Sequence, residues 1–228
     1  MSTKGLFITL EGIEGAGKST VARWVGEWLG RHQIRATLTR EPGGTPLAER
    51  VRQIVLELGA EGLSPTTETL LMFAARGIHL ENLIRPALER GDCVVCDRFT
   101  DATRAYQGAG RGVDAAWIES LARQVQGSLQ PDCTLLLDLP VPMGLERAKS
   151  RRAAATDRFE AEAQAFFERV RAAYLELARR EPQRIHVIDA SAPLRRVERQ
   201  VTAVLERLPG VARGTPSRDG GSAGGETA

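Results

Sequence analysis

Apolar residues fall into short solid runs, separated by longer stretches in which they recur every three or four positions. Leu6 to Leu10, Cys93 to Cys96 and Cys133 to Leu139 are the runs, each with the length of a strand buried on both faces, and Ile34 to Thr39 and Ile185 to Asp189 read as two further strands,. Val21 to Leu29, Pro46 to Leu58, Thr66 to Glu89, Asp114 to Gln126, Phe159 to Arg180 and Leu194 to Leu208 carry the helical interval,. Gly59 to Pro65 breaks the second of these, and Gly91 ends the third,. Strands alternating with helices predict an α/β fold: a five-stranded parallel sheet with helices on both faces. Residues 1–208 read as one domain. Beyond Pro209 the chain is rich in Gly and Ser without apolar periodicity, so 209–228 is expected to be a disordered tail,. No internal repeat is visible at solenoid periods.

Between the first strand and first helix stands Gly12-Ile13-Glu14-Gly15-Ala16-Gly17-Lys18-Ser19. It fits the phosphate-binding loop pattern G-x-x-x-x-G-K-[ST] at every fixed position, with strand and helix on the proper sides. Glycines let backbone N–H groups crowd round phosphate oxygens, and the following helix turns its positive end toward them. Lys18 would reach the β- and γ-phosphates of a nucleotide, and the Ser19 hydroxyl would sit on a magnesium ion shared with them. Lysine occurs elsewhere only at Lys4 and Lys149 in an arginine-rich chain, so its presence here is not a compositional default.

The remaining candidates lie at strand ends and in polar stretches. Arg40-Glu41-Pro42-Gly43-Gly44-Thr45 is forced into a loop at a strand's carboxyl end, where open α/β sheets bind ligands, although a plain polar turn explains it as well. Phe73 and Arg76 share a face of the long helical stretch, where a ring can stack on a flat ligand or fill the core. Asp97 at the tip of a core strand is suited to hold a magnesium-bound water or an acceptor oxygen opposite Ser19. Thr100 to Gly112 offers Thr103, Arg104, Tyr106, Gln107 and Arg111 to a hydrogen-bonding edge, or is an ordinary loop. Arg147, Lys149, Arg151, Arg152 and Arg158 form a basic cluster interrupted by Ala153 to Thr156. It reads as a solvated helix face or as a mobile lid, about 147–158, over phosphates.

Charge and composition narrow the picture. A net charge of +2 gives no global support for nucleic-acid or membrane partners. No apolar stretch is long enough to cross a bilayer and no signal pattern opens the chain, so a cytoplasmic protein is expected. Cys93 and Cys96 make C-x-x-C on a strand, where positions three apart face opposite ways and do not chelate one metal; with Cys133 they read as buried reduced thiols.

Five ordered blocks taken together resemble the bacterial thymidylate kinases: 10–20, 39–45, 71–76, 97–99 and 105–108. The resemblance runs from Gly5 to about Leu208. It implies a nucleoside monophosphate kinase fold of the P-loop NTPase type with a short lid, phosphorylation of dTMP to dTDP with ATP as donor and Mg²⁺ as cofactor, and a homodimer. It assigns nucleotide binding to the loop from Gly12 to Thr20 and the metal to Ser19 and Asp97. It also implies that Arg98 grips the acceptor phosphate and Glu14 meets the deoxyribose 3′-hydroxyl. Phe73 would stack on thymine and Arg76 would bond its carbonyl. Arg40, Thr103 and Gln107 belong to the same substrate site, and Tyr106 crowds the sugar 2′ position. Some members carry the ring four residues before the arginine, where this chain has Met72. Gly15 stands where other members have a basic residue, which resembles the class whose lid supplies the catalytic charge. Another small-nucleotide or nucleoside kinase, or a P-loop switch, is the alternative; no Asn-Lys-x-Asp segment supports the switch.

Overall fold

The computed structural model describes residues 5–56, 62–149, 157–209 and 211, and for 157–163 the backbone alone. The expected five strands are present as β1 (Phe7–Glu11), β2 (Ala36–Arg40), β3 (Cys93–Asp97), β4 (Cys133–Asp138) and β5 (Ile185–Asp189). They pair in parallel in the order β2-β3-β1-β4-β5. β1 therefore lies at the centre, flanked by β3 and β4. The helices are α1 (Lys18–Arg31), α2 (Pro46–Leu56), α3 (Pro65–His79), α4 (Arg85–Glu89), α5 (Thr100–Thr103), α6 (Ala115–Gln126), α7 (Val141–Lys149), α8 (Asp157–Arg180) and α9 (Leu194–Leu205).

Both sheet faces are covered, because strand positions alternate between two cores. Ile8, Leu10, Val95, Leu135 and Leu137 pack with Val25 and Leu29 of α1, Val170 and Tyr174 of α8, and Val201 and Leu205 of α9. Phe7, Val94 and Cys96 face the other way, onto Leu80, Ile84, Leu88 and Phe99. Each fully buried Leu or Ile contributes about 1.5–3 kcal/mol. Cys93 belongs to the first core and Cys96 to the second, so the C-x-x-C pair does point to opposite faces. All three thiols are buried and free, and burial pushes Cys93 and Cys133 up to about 12.

Three departures from the expected elements have physical reasons. The stretch expected as one helix from Thr66 to Glu89 passes through a π turn, Leu80–Ile84, between α3 and α4. Pro86 cannot donate to a carbonyl four residues back, and the wider turn accommodates its ring. Thr100–Gly110 is helical, as α5 and a second π turn (Arg104–Gly110), and not a loop. One of its glycines serves packing: a Cβ on Gly110 would lie 2.6 Å from the Phe166 ring of α8. Val211, inside the expected tail, is buried with Leu205 and Leu208; residues 210 and 212–228 lie outside the described ones.

Candidate active site

Sheet order brings the carboxyl ends of β1, β3 and β2 together at the point where the chain switches from one side of β1 to the other, the place where open α/β sheets form a crevice. A cavity of about 800 Å³ opens there, lined by the loop after β1, the Arg40–Pro42 corner, α3, and the segment from Asp97 to Arg111. Six cationic side chains (Lys18, Arg40, Arg52, Arg76, Arg98, Arg111) meet four carboxylates (Glu14, Glu41, Glu68, Asp97) on its walls. A nearly neutral chain thus carries a locally positive site, suited to anions.

The phosphate loop has the geometry its residues require. Gly17 adopts φ +87° and caps α1, which starts at Lys18, earlier than apolar spacing alone reveals. Lys18 Nζ donates to the carbonyls of Gly12 and Ile13, each at 2.9 Å. Burial, then the Arg98 charge, lowers its ammonium to about 8, against partial support from Asp97, Glu14 and Glu11. Ser19 Oγ donates to Asp97 Oδ2 at 3.1 Å, so β3 does deliver its carboxylate opposite the loop serine. Gly15 touches α7: a Cβ there would lie 2.0 Å from the Gly144 carbonyl oxygen. Glu14, Gly15, Gly17, Lys18, Ser19 and Thr20 border the cavity; Gly12, Ile13 and Ala16 stand behind it.

Arg98 adopts φ +75°, an uncommon conformation for a residue with a side chain. Its N–H donates to the Leu10 carbonyl at 2.9 Å and its own carbonyl accepts from Cys96 Sγ at 3.0 Å. The next N–H, Phe99, donates to Glu11 Oε1 at 2.7 Å. This backbone turns the guanidinium inward, where Nη2 meets Glu14 Oε1 at 3.3 Å and the Tyr106 hydroxyl at 2.9 Å. Tyr106 in turn donates to Glu14 Oε2 at 2.8 Å. Burial pushes the Tyr106 phenol up, keeping it a neutral donor.

At the other end, Arg76 is 3% exposed. Its Nε donates to Glu41 Oε2 at 2.7 Å and its Nη2 to Thr103 Oγ1 at 3.0 Å. His79 Nδ1 donates to the other Glu41 oxygen at 3.1 Å, and Thr39 Oγ1 and His79 Nε2 share a hydrogen bond of 2.7 Å. Arg76 Nη1 is the one enclosed side-chain polar atom without a partner among the described residues. A donor so placed is normally satisfied, which marks it for a ligand acceptor.

Several sequence expectations change here. Glu41 does not sit in a plain polar turn: it is 5% exposed, because Arg76 and His79 converge on it. Phe73 does not reach the cavity; it packs with Ile118 and Ala122, while Arg76 lies 4.8 Å over its ring. Met72, one position round the helix, lines the cavity instead. Arg40 is half-exposed and paired with Glu49 at 2.9 Å. Arg147 donates to the Ala190 carbonyl at 3.0 Å and is not on the cavity wall. Arg151 and Arg152 lie outside the described residues, as does the side chain of Arg158. Glu68, His79 and Glu11 went unnoticed in the sequence. Glu68, Met72 and Arg76 at i, i+4 and i+8, facing Thr103, Gln107 and Arg111 at the same interval, were the available signal.

The family profile described as Thymidylate kinase matches residues 10–201. Thymidylate kinase of Pseudomonas fluorescens (strain SBW25) is 55% identical over 92% of this chain and 99% of its own length. That of Pseudomonas putida (strain GB-1) is 56% identical over 91% and 96%. The solved structure of thymidylate kinase from Ehrlichia chaffeensis superposes with a TM-score of 0.69 at 34% identity, covering 89% of this chain and 99% of that one. The chain belongs to the thymidylate kinase family.

Proposed function

We propose that the cavity holds the phosphates of ATP at the loop and dTMP along α3, and that the chain transfers the γ-phosphoryl group between them to give dTDP for dTTP synthesis. One observation carries this: a single cavity joins the Lys18–Ser19–Asp97–Arg98 end to a buried Arg76 whose unpaired Nη1 can meet a base carbonyl. Nothing in the cavity favours the switch or the other kinases over the family's own reaction.

The acceptor is a phosphate monoester dianion and needs no strong base. The task is to bring two anions into line and neutralise the spreading charge. The loop N–H groups and Lys18 hold the donor phosphates. Arg98 leaves Glu14 for the acceptor phosphate, freeing that carboxylate for the sugar 3′-hydroxyl, while Tyr106 borders the sugar. Ser19 Oγ and Asp97 Oδ2 are hard oxygen donors 3.1 Å apart, and they fit Mg²⁺, which takes one or two protein oxygens beside phosphates and waters. When bound, Mg²⁺ neutralises charge on the β- and γ-phosphates. We assign the remaining positive charge to Arg151, Arg152 and Arg158 of the basic cluster, acting as a lid that also keeps water from the γ-phosphate.

Among the described residues no helix is long and apolar enough to cross a membrane, and we place the enzyme in the cytoplasm, acting on small molecules and not on nucleic acid. We also propose a homodimer, for which the exposed Ile54 and Leu70 on α2 and α3 offer apolar surface. The test of function is a coupled ADP-release assay with Mg²⁺-ATP and each deoxynucleoside monophosphate in turn. Preferred turnover of dTMP is expected; equal turnover of a purine monophosphate, or rapid ATP hydrolysis without acceptor, would contradict it.

A further inference from the structure

Two helical faces meet across the Arg76 end of the cavity. Glu68, Met72 and Arg76 stand one turn apart on α3, and Thr103, Gln107 and Arg111 stand at the same interval from α5 through the π turn to its cap. The faces are antiparallel and cross-linked at both ends. Arg76 Nη2 donates to Thr103 Oγ1 at 3.0 Å. Gln107 Nε2 donates to Glu68 Oε1 at 2.7 Å, and Arg111 Nη2 lies 3.2 Å from Glu68 Oε2. Met72 lines the cavity between the two links.

Each link leaves one group over. Arg76 Nη1 is a donor without a partner. Gln107 Oε1 is an acceptor that bonds none of the described residues, and Gln107 lines the cavity. Which end of that amide faces the cavity is not free. A carboxylate has only lone pairs, so Glu68 can hold Gln107 through its NH₂ group and not through its oxygen.

We infer that Glu68 is a specificity-determining positioning residue: by holding the Gln107 amide with its oxygen toward the cavity beside the Arg76 donor, it makes the site read a carbonyl next to a ring N–H. The inference rests on dTMP binding with its base at this end. Thymine and uracil present that edge, O4 accepting and N3–H donating. Cytosine presents the reverse, an amino donor facing the guanidinium and a bare ring nitrogen facing the amide oxygen. Both mismatched contacts repel, so rejection is built from the same two groups as acceptance. In this role Glu68 acts through Gln107.

The experiment compares kcat/KM for dTMP, dUMP and dCMP in the wild type and in Glu68→Gln, which keeps the side chain's shape but can donate as well as accept, so the Gln107 amide is free to turn. The dTMP/dCMP ratio is expected to fall by about tenfold or more, the size of one discriminating hydrogen bond. The dTMP/dUMP ratio is expected to stay constant, because those bases share the edge. Gln107→Ala should lower the dTMP/dCMP ratio by itself, and adding Glu68→Gln to it should have no further effect on that ratio. An unchanged dTMP/dCMP ratio in Glu68→Gln, a dTMP/dUMP ratio that shifts in step with it, or an effect of Glu68→Gln that survives the loss of Gln107 each overturns the inference. If Glu68→Gln does not fold, an unchanged ratio in Gln107→Ala overturns it equally. A wild type inactive on dTMP refutes the function itself, and is distinguished by failing before any variant is compared.

Discussion

Lys18 is 8% exposed and rests on two carbonyls of its own loop, and burial first, with the Arg98 charge second, lowers its ammonium to about 8. Phosphate favours the charged form, so the value rises when ATP binds, and by linkage affinity is full below about pH 8 and weakens as pH climbs through it. The KM for ATP measured from about pH 7 to pH 9 should be level at first and then rise by up to about tenfold per unit, the limit for one proton. A flat profile across that interval would show that the lysine is not titrating against its ligand. At this scale the sequence was legible where spacing is rigid and opaque where rotation decides. The loop is eight contiguous residues whose roles follow from order alone, whereas Met72 and Phe73 differ only by about 100° round a helix. The phase of α3 was set by Glu68 and Arg76 finding partners on another element, which no local pattern records. The burial of Glu41 escaped notice for the same reason, since its partners are Arg76 and His79, far along the chain.

The segment Thr100–Gly110 shows what element-level patterning misses. Its polar and glycine-rich composition resembles a loop, yet it folds as a helix because its charges are paired within the fold. Asp101, 3% exposed, accepts from Arg104 Nη1 at 2.7 Å and from Arg184 Nη1 at 2.7 Å. Burial alone would raise its carboxyl, but the Arg184 and Arg104 charges hold it below its ordinary value. Arg184 also reaches Thr134 of β4 at 2.8 Å, tying the segment to the sheet. Asp101→Ala leaves two guanidiniums short of a buried partner. Each keeps a second carboxylate, Glu119 or Glu181, so the loss is expected at about 3 kcal/mol, the low end for a broken buried pair. Urea unfolding measures it, and a loss below about 1 kcal/mol, the range of exposed pairs, would mean that the network contributes no more than a surface one. The strands were legible because β1, β3 and β4 are buried on both faces and read as solid apolar runs, while β2 and β5 at the sheet edges still carry enough of that pattern,.

Across the whole molecule, Glu11 joins three parts of the chain. It is fully buried, accepts from Phe99 N–H beside Arg98, and accepts from the Tyr174 hydroxyl of α8 at 2.7 Å. Burial first, then the Asp101 charge, raises its carboxyl to about 8, against Tyr174, Arg98 and the Phe99 N–H. The folded value lies above the unfolded one, so this group's contribution to stability is full at low pH and is lost as pH rises through about 8,. Glu11→Gln keeps the neutral form at every pH, and its Tm should fall less than that of the wild type between about pH 6 and pH 9. Parallel Tm profiles for the two proteins would rule out a neutral Glu11. A parallel sheet covered on both faces was expected from alternation alone, but its strand order and the contacts between these parts, such as Gly15 against Gly144, are visible only in three dimensions. That bare backbone meeting limits how the sequence can drift. An arginine at position 15 would drive its first carbon into α7, so a loop-borne guanidinium lies two concerted changes away, a retreat of α7 and the substitution itself. Single steps toward it pass through a displaced helix, and descendants of this chain are held to supplying that charge from elsewhere.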